Sequence, residues 1–197
     1  MTNKPHLEIS ANEYFEEAVD LEQSDPKTAA RFKIDAHEIL ACFYMANEND
    51  SYIDELKTVL KLKLEYVSDY NEKLWPESQI EYAFIALAAG EMEKAKVLCS
   101  YDTDIKNTHN FSILLNCKLR KLVGAPQVFD EPQYKPTKSE LGLFLALDSV
   151  INKEVVDFSL LQGYWKATKS KRYESTVFEH RDLFTEAISN AEKTFNK

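Results

Sequence analysis

The segment Ile80-Glu-Tyr-Ala-Phe-Ile-Ala-Leu-Ala-Ala-Gly90-Glu-Met-Glu-Lys-Ala-Lys-Val-Leu-Cys99 spells two short helices folded back on each other about a single glycine. Its first half is rich in alanine and aromatic residues, with apolar positions recurring at helical spacing. Gly90 stands where a helix ends in the left-handed conformation that glycine adopts most cheaply. Met92, Ala95, Leu98 and Cys99 then form the apolar stripe of a second helix. Such a hairpin of helices points to an all-α architecture.

The rest of the chain agrees with that reading. Its 197 residues suffice to bury a core without disulfides, and 44% hydrophobic with 29% charged residues is an ordinary globular balance. Only 4 glycines and 6 prolines favour long elements with few tight turns. No apolar run reaches the roughly 18–20 residues that a membrane span requires, and the first residues lack a charged-then-apolar leader. Cys42, Cys99 and Cys117 form an odd set without C-x-x-C spacing, each inside an apolar helical stretch. Packed, reduced thiols and a cytosolic location are the expectation.

Walking along the chain, Ser10-Ala-Asn-Glu13 has the form of a capping box. It predicts a first helix to about Gln23, with Phe15, Ala18 and Val19 inward. Asp25-Pro26 opens a second helix, reaching about Ala46 through Ala29, Phe32, Ala36, Ile39, Leu40 and Phe43. After the polar turn 47–50, Ser51 begins a third helix through Leu56, Val59, Leu60, Leu64 and Val67, extendable to Lys73. Trp75-Pro76 breaks the chain before the Gly90 hairpin, which starts at Glu77 or Ser78 and closes at 101–104. Asn107 to Val123 reads as a helix ended by Gly124, with Phe111, Leu114, Leu115 and Leu122 inward.

Residues 125–136 hold Pro126, Pro132 and Pro136 and form the one long irregular connection, of a length often tied to function. Thr137-Lys-Ser-Glu140 is a second capping box, opening an apolar helix through Leu141, Phe144, Leu145, Leu147 and Val150. Helices from Lys153 to about Ser170 and from Glu174 to Phe195 complete the set. The expectation is a single all-α domain over 1–197 with about eight or nine helices in antiparallel hairpins. Within it, 1–124 would form a hairpin stack, 125–136 the connection and 137–197 the C-terminal helices.

Catalytic and metal motifs are weak. Asp35-Ala-His37-Glu38 invites a metal reading, but a zinc helix needs a second histidine one turn later, and position 41 is alanine. Glu179-His180-Arg-Asp182 points around its helix, and His6 and His109 stand alone in polar surroundings. Gly90, Gly124, Gly142 and Gly163 are single, whereas a phosphate cradle needs clustered glycine. No catalytic residue, cofactor or metal is therefore expected. Lys166, Lys169, Lys171 and Arg172, near Tyr164, Trp165 and Tyr173, resemble a basic–aromatic patch, better explained as a helix end complementing its dipole.

The net charge of −9 opposes nucleic-acid and anionic-membrane binding and favours a basic partner. Between Pro5 and Pro26 stand seven acids and no lysine or arginine. Glu13, Glu16, Glu17 and Asp20 fall at i, i+3, i+4 and i+7, one stripe opposite the apolar face. Two readings stay open, a solvated face and a docking face for a basic partner. The loop acids Asp102, Asp104, Asp130 and Glu131 could extend such a surface, with Phe129 or Tyr134 as aromatic anchors.

Two resemblances add to this. Ala89-Gly-Glu-Met-Glu-Lys-Ala95 resembles the inter-helix turn of tetratricopeptide-type repeats, although no regular period is visible. Over about residues 29–100 the chain is similar to small all-α bacterial immunity proteins, notably the family called immunity protein forty-nine. Tyr82–Ala89, Gly90-Glu91 and Ala95-Lys-Val-Leu98 match its Ala-rich helix, Gly-acidic turn and Ala-x-x-Leu helix. That resemblance implies a cytosolic, non-enzymatic protein that binds and blocks a cognate toxin, here one with a basic surface. It assigns no binding residues. The tetratricopeptide-like turn implies the alternative, a scaffold holding a peptide in a groove between hairpins.

Overall fold

A computed structural model describes residues 5–72, 74–101, 108–161 and 181–195. Among them are eight α-helices, a short 3₁₀ turn and no strand: α1 Pro5–Leu21, α2 Pro26–Ala46, α3 Tyr52–Asp69, α4 Pro76–Ala88, α5 Met92–Ser100, α6 Asn110–Val123, α7 Lys138–Ile151, the turn Phe158–Leu160, and α8 Arg181–Phe195. The chain is all-α. No described helix is long and apolar enough to cross a membrane.

The described residues form two compact units, divided between 72 and 74 beside the Trp75-Pro76 break. The division thus falls ahead of the Gly90 hairpin, and the proline-rich connection lies wholly inside the second unit. In the first unit α2 packs against both α1 and α3. Its N-terminus follows the sequence: Asp25 accepts from the Thr28 N–H at 3.1 Å and the Thr28 hydroxyl at 2.7 Å. These bonds hold the Asp25 carboxyl below its ordinary pKa. Two polar pairs join α2 to α3. His37 Nδ1 meets Glu55 at 2.7 Å, and Glu38 meets Lys63 at 2.8 Å.

In the second unit α4 packs against α5, α6 and α8, and every residue from Ile80 to Ala89 is buried. A helix apolar all round needs such cover, which explains its alanines: they let neighbours approach on every side. Phe84 meets Phe184 of α8 edge-on at 4.9 Å. The Asn190 side-chain amide donates to the Leu87 and Ala88 carbonyls at 3.1 and 3.0 Å, satisfying groups left open at the end of α4.

Five helices end with the same device. A residue at or just past the C-cap takes a positive φ, and the next N–H reaches the carbonyl five residues back. Gly90 (φ 76°) and Gly124 (φ 66°) do so as their identity foretells, with Glu91 bonded to Ala86 and Ala125 to Arg120, each at 2.8 Å. Glu48, Asn71 and Lys153 do so at φ 54°, 51° and 58°, without glycine.

These hidden stops correct the sequence reading. Asn71 ends α3 at Asp69, so the helix does not extend to Lys73. Lys153 reverses the chain after α7, so no helix begins there: 154–157 are irregular and 158–160 form only the 3₁₀ turn. The remainder of that helix, the basic–aromatic patch at 164–173 and the start of the Glu174 helix lie outside the described residues. At the front, α1 begins at Pro5, so Ser10 sits within the helix rather than capping it. Its inward face is Leu7, Ser10, Ala11, Tyr14, Phe15, Ala18 and Leu21, and Val19 is 66% exposed. The α4 helix starts at Pro76, and α6 starts at Asn110. On α7, Leu141 and Leu145 are exposed, while Leu143, Phe144, Ala146, Leu147 and Val150 form the buried face.

Gly142 has a packing role that its solitary position concealed. A Cβ built there would stand 2.1 Å from the Leu160 carbonyl oxygen, a backbone atom of the 3₁₀ turn. Alanine is the better helix former by about 1 kcal/mol, yet forced overpacking costs about 1–3 kcal/mol. Gly142→Ala is therefore expected to lower stability and free the 158–161 amides to exchange. A stabilised variant in urea unfolding would show that the turn moves aside without cost.

Candidate functional site

The acidic stripe of α1 is built by helical spacing alone. Ala11 and Ala18, fully buried against the bundle, fix which way the helix faces. Glu13, Glu16, Glu17 and Asp20 then fall on the opposite side, all exposed. None of the four has an ion-pair or hydrogen-bond partner among the described residues. Two aliphatic side chains share the solvent-facing surface, Ile9 at 58% exposure and Val19 at 66%. The last turn carries no basic residue. Glu17 and Asp20 thus stand near the negative end of the helix dipole, where a carboxylate is unfavourable.

The other predicted contact residues are placed differently. Asp102 and Asp104 lie outside the described residues. Asp130, Glu131 and Tyr134 belong to the second unit, within the connection 124–137 between α6 and α7. Asp130 is exposed. Glu131 is held by Lys121 at 2.5 Å, and that bond keeps its carboxyl below the ordinary pKa. The Tyr134 hydroxyl donates to Glu140 at 2.7 Å, and its ring meets Phe111 edge-on. That same carboxylate accepts from the Thr137 N–H at 2.9 Å, completing the predicted capping box. Phe129 lies over the Arg120 guanidinium at 5.2 Å. The aromatic residues expected as anchors are therefore spent on fastening the loop.

A polar cluster beneath this loop escaped the sequence reading. Arg120 is fully buried and donates to Asn116 Oδ1 at 2.8 Å, the Pro126 carbonyl at 2.8 Å and the Tyr101 carbonyl at 2.9 Å. Asn116 in turn donates to Gln79 at 3.3 Å, and Gln79 donates to the Tyr101 carbonyl at 3.2 Å. A basic residue near a helix C-terminus ordinarily reads as a solvated dipole partner, so nothing in its spacing marked Arg120 as core.

Two cysteines of the same unit, Cys99 and Cys117, lie close to Arg120 but are poorly armed. Burial pushes the Cys99 thiol up to about 12, against the opposing pull of Arg120, and burial also raises Cys117. Such thiols stay protonated near neutral pH and make weak nucleophiles. His37, whose metal reading the sequence already disfavoured, is engaged with Glu55 and packs edge-on against Phe15 at 5.0 Å, while its neighbour Glu38 reaches Lys63. The two side chains are thus drawn to different positions on α3. Among the described residues no three histidine, cysteine or acidic side chains converge to hold a metal ion.

One groove accompanies the acidic stripe in the first unit, between the start of α2 and the end of α3, with a volume of about 260 Å³. Ala30 and Leu62 give it an apolar floor, and Tyr66, Tyr70, Glu65 and Asp69 line its α3 side. Glu22 and Lys33 close the far edge as a pair at 2.7 Å. Lys27 stands beside it, bonded to Glu72 at 2.6 Å, with its ammonium 5.8 and 5.7 Å from the centres of the Tyr66 and Tyr70 rings. Comparison of the chain with protein-family models, curated proteins and solved structures gave no match.

Proposed function

We propose that this chain is a cytosolic immunity-type protein that neutralises a cognate bacterial toxin by stoichiometric binding, with the outward face of α1 docking a basic partner. The observation that carries the reading is the composition of that face: four carboxylates with no partner among the described residues and two exposed aliphatic side chains, with no interspersed cation. A face serving solubility alone mixes both charge signs and leaves few aliphatic residues exposed. Repulsion between neighbouring acids costs about 0.2–0.5 kcal/mol per pair, and the acids near the C-terminus of α1 oppose its dipole. A basic partner would relieve both costs on binding.

The scaffold alternative draws little support from the Gly90 hairpin. Its first helix has no exposed side from Ile80 to Ala89, leaving no concave face there for a peptide.

Replacing Glu13, Glu16, Glu17 and Asp20 with lysine is expected to slow association with the cognate toxin. A reduction of roughly 10- to 100-fold at low salt follows from losing electrostatic steering. Stability of the free chain should change little, because the dipole conflict at the end of α1 is relieved while lysines at the same spacings repel one another as the acids did. Stopped-flow association across a salt series measures the first, and urea unfolding the second. An unchanged on-rate would reduce the stripe to a solvated face. A purified pair that never co-elutes at low salt would remove the toxin-binding reading itself.

A further inference from the structure

The groove between α2 and α3 has a lining that specifies an occupant. At about 260 Å³ it falls below the range of about 300–1,000 Å³ typical of sites for whole small molecules, and its size suits a single long side chain. The floor of Ala30 and Leu62 suits methylene groups. Glu65 and Asp69 are one helical turn apart on α3, both exposed. Asp69 has no ion-pair partner among the described residues, and Glu65 has only Lys61 at 3.7 Å, a loose exposed contact. Asp69 stands in the last turn of α3, which carries no basic residue, so the carboxylate and the helix dipole add at the same point.

The chain also shows what these rings hold. The ammonium of Lys27 lies near both Tyr66 and Tyr70, whose rings are 4.9 Å apart and tilted by 49°. Lys27 is neutralised by Glu72 and Lys33 at the groove's far edge by Glu22, which leaves Glu65 and Asp69 as the lining carboxylates open to a second cation.

We propose that this groove receives the side chain of an arginine presented by the protein partner, its methylenes on Ala30 and Leu62 and its guanidinium between the tyrosines and the Glu65 and Asp69 carboxylates. Arginine fits better than lysine because its planar cation stacks on a ring and forks between two carboxylates. This deepens the proposed function by naming an anchor point apart from the α1 stripe, and it rests on a protein partner being the ligand.

The probe is N-acetyl-arginine methylamide, titrated into the isotope-labelled full chain and followed by amide chemical shifts. Its lysine counterpart and its neutral citrulline counterpart serve as comparisons. Shifts confined to 26–33 and 62–71 are expected with the arginine probe, a weaker response with lysine, and none with citrulline. The exposed double substitution Glu65→Gln/Asp69→Asn should remove the response without lowering stability, and Tyr66→Leu should weaken it. Equal shifts from citrulline would overturn the proposal. So would an arginine response that follows acidic positions generally, including 13–20, or no localised shift at the highest soluble concentration. The α1 charge-reversed chain should keep the probe response while associating with the toxin more slowly. A groove that binds the probe in a chain with no toxin partner would therefore sink only the functional reading, and toxin binding without a probe response would sink only the groove.

Discussion

Lys63→Met is expected to destabilise the α1–α3 unit by about 3–5 kcal/mol, the range for breaking a buried ion pair by removing one partner. Glu38 is fully buried and the Lys63 side chain is 10% exposed, so water cannot replace the lost ammonium at their 2.8 Å contact. Glu38→Leu alone leaves the ammonium in the same position and should cost a comparable amount. The double variant should recover most of the loss, since two apolar side chains fill the site without a stranded charge. The pair then contributes little net stability but fixes which positions of α2 and α3 face each other. Hydrogen exchange of the α2 and α3 amides gives the readout, because it resolves this unit without assuming that the whole chain unfolds in one step. Additive losses in the double variant would contradict this account.

Arg120→Met should be at least as damaging, by about 4–5 kcal/mol or more, because charge-assisted hydrogen bonds contribute roughly 1.5–3 kcal/mol each. Three are lost together, and the Tyr101 and Pro126 carbonyls lose a donor. Arg120→Lys should rescue little. An ammonium is a compact point charge and cannot span three acceptors set around a planar fork, nor stack on Phe129 in the same way. The consequence should be local as well as global. Amides of 125–131 should exchange much faster in either variant, since Arg120 ties Pro126 and Phe129 to α6. Unchanged loop protection in Arg120→Lys would show that the loop is held by the Lys121–Glu131 pair and the Tyr134–Glu140 bond instead.

The contrast between these two sites and the α1 stripe shows what spacing alone can convey. The exposure of Glu13, Glu16, Glu17 and Asp20 was legible because one face of a helix follows from a period of 3.6 residues, and the apolar side declares the opposite one. Ser10 misled because a capping box is a local pattern, and the helix had already begun at Pro5. Glu38, Lys63 and Arg120 were illegible for a different reason. A charged residue has the same letter whether it is solvated or buried, and burial is decided by a partner distant in sequence: 25 residues away for Lys63 and Glu38. The fastenings of the connection 125–136 were hidden for the same reason, because they are made by side chains of α6 and α7.

By itself, then, the sequence determined the helical class, the glycine-ended helices α4 and α6, the caps at Asp25 and Thr137, and the orientation of the α1 stripe. These depend on backbone preference and periodicity, which act over a few residues. Only the tertiary structure decided that the chain divides near residue 73, that Glu48, Asn71 and Lys153 adopt positive φ without glycine, and that Gly142 makes room for the Leu160 carbonyl. It also decided which charges are interior and that Tyr66 and Tyr70 share a groove with Asp69. Packing can hold a non-glycine residue in a costly backbone state and can bury an ion beside its partner. Both depend on neighbours that the local sequence does not specify.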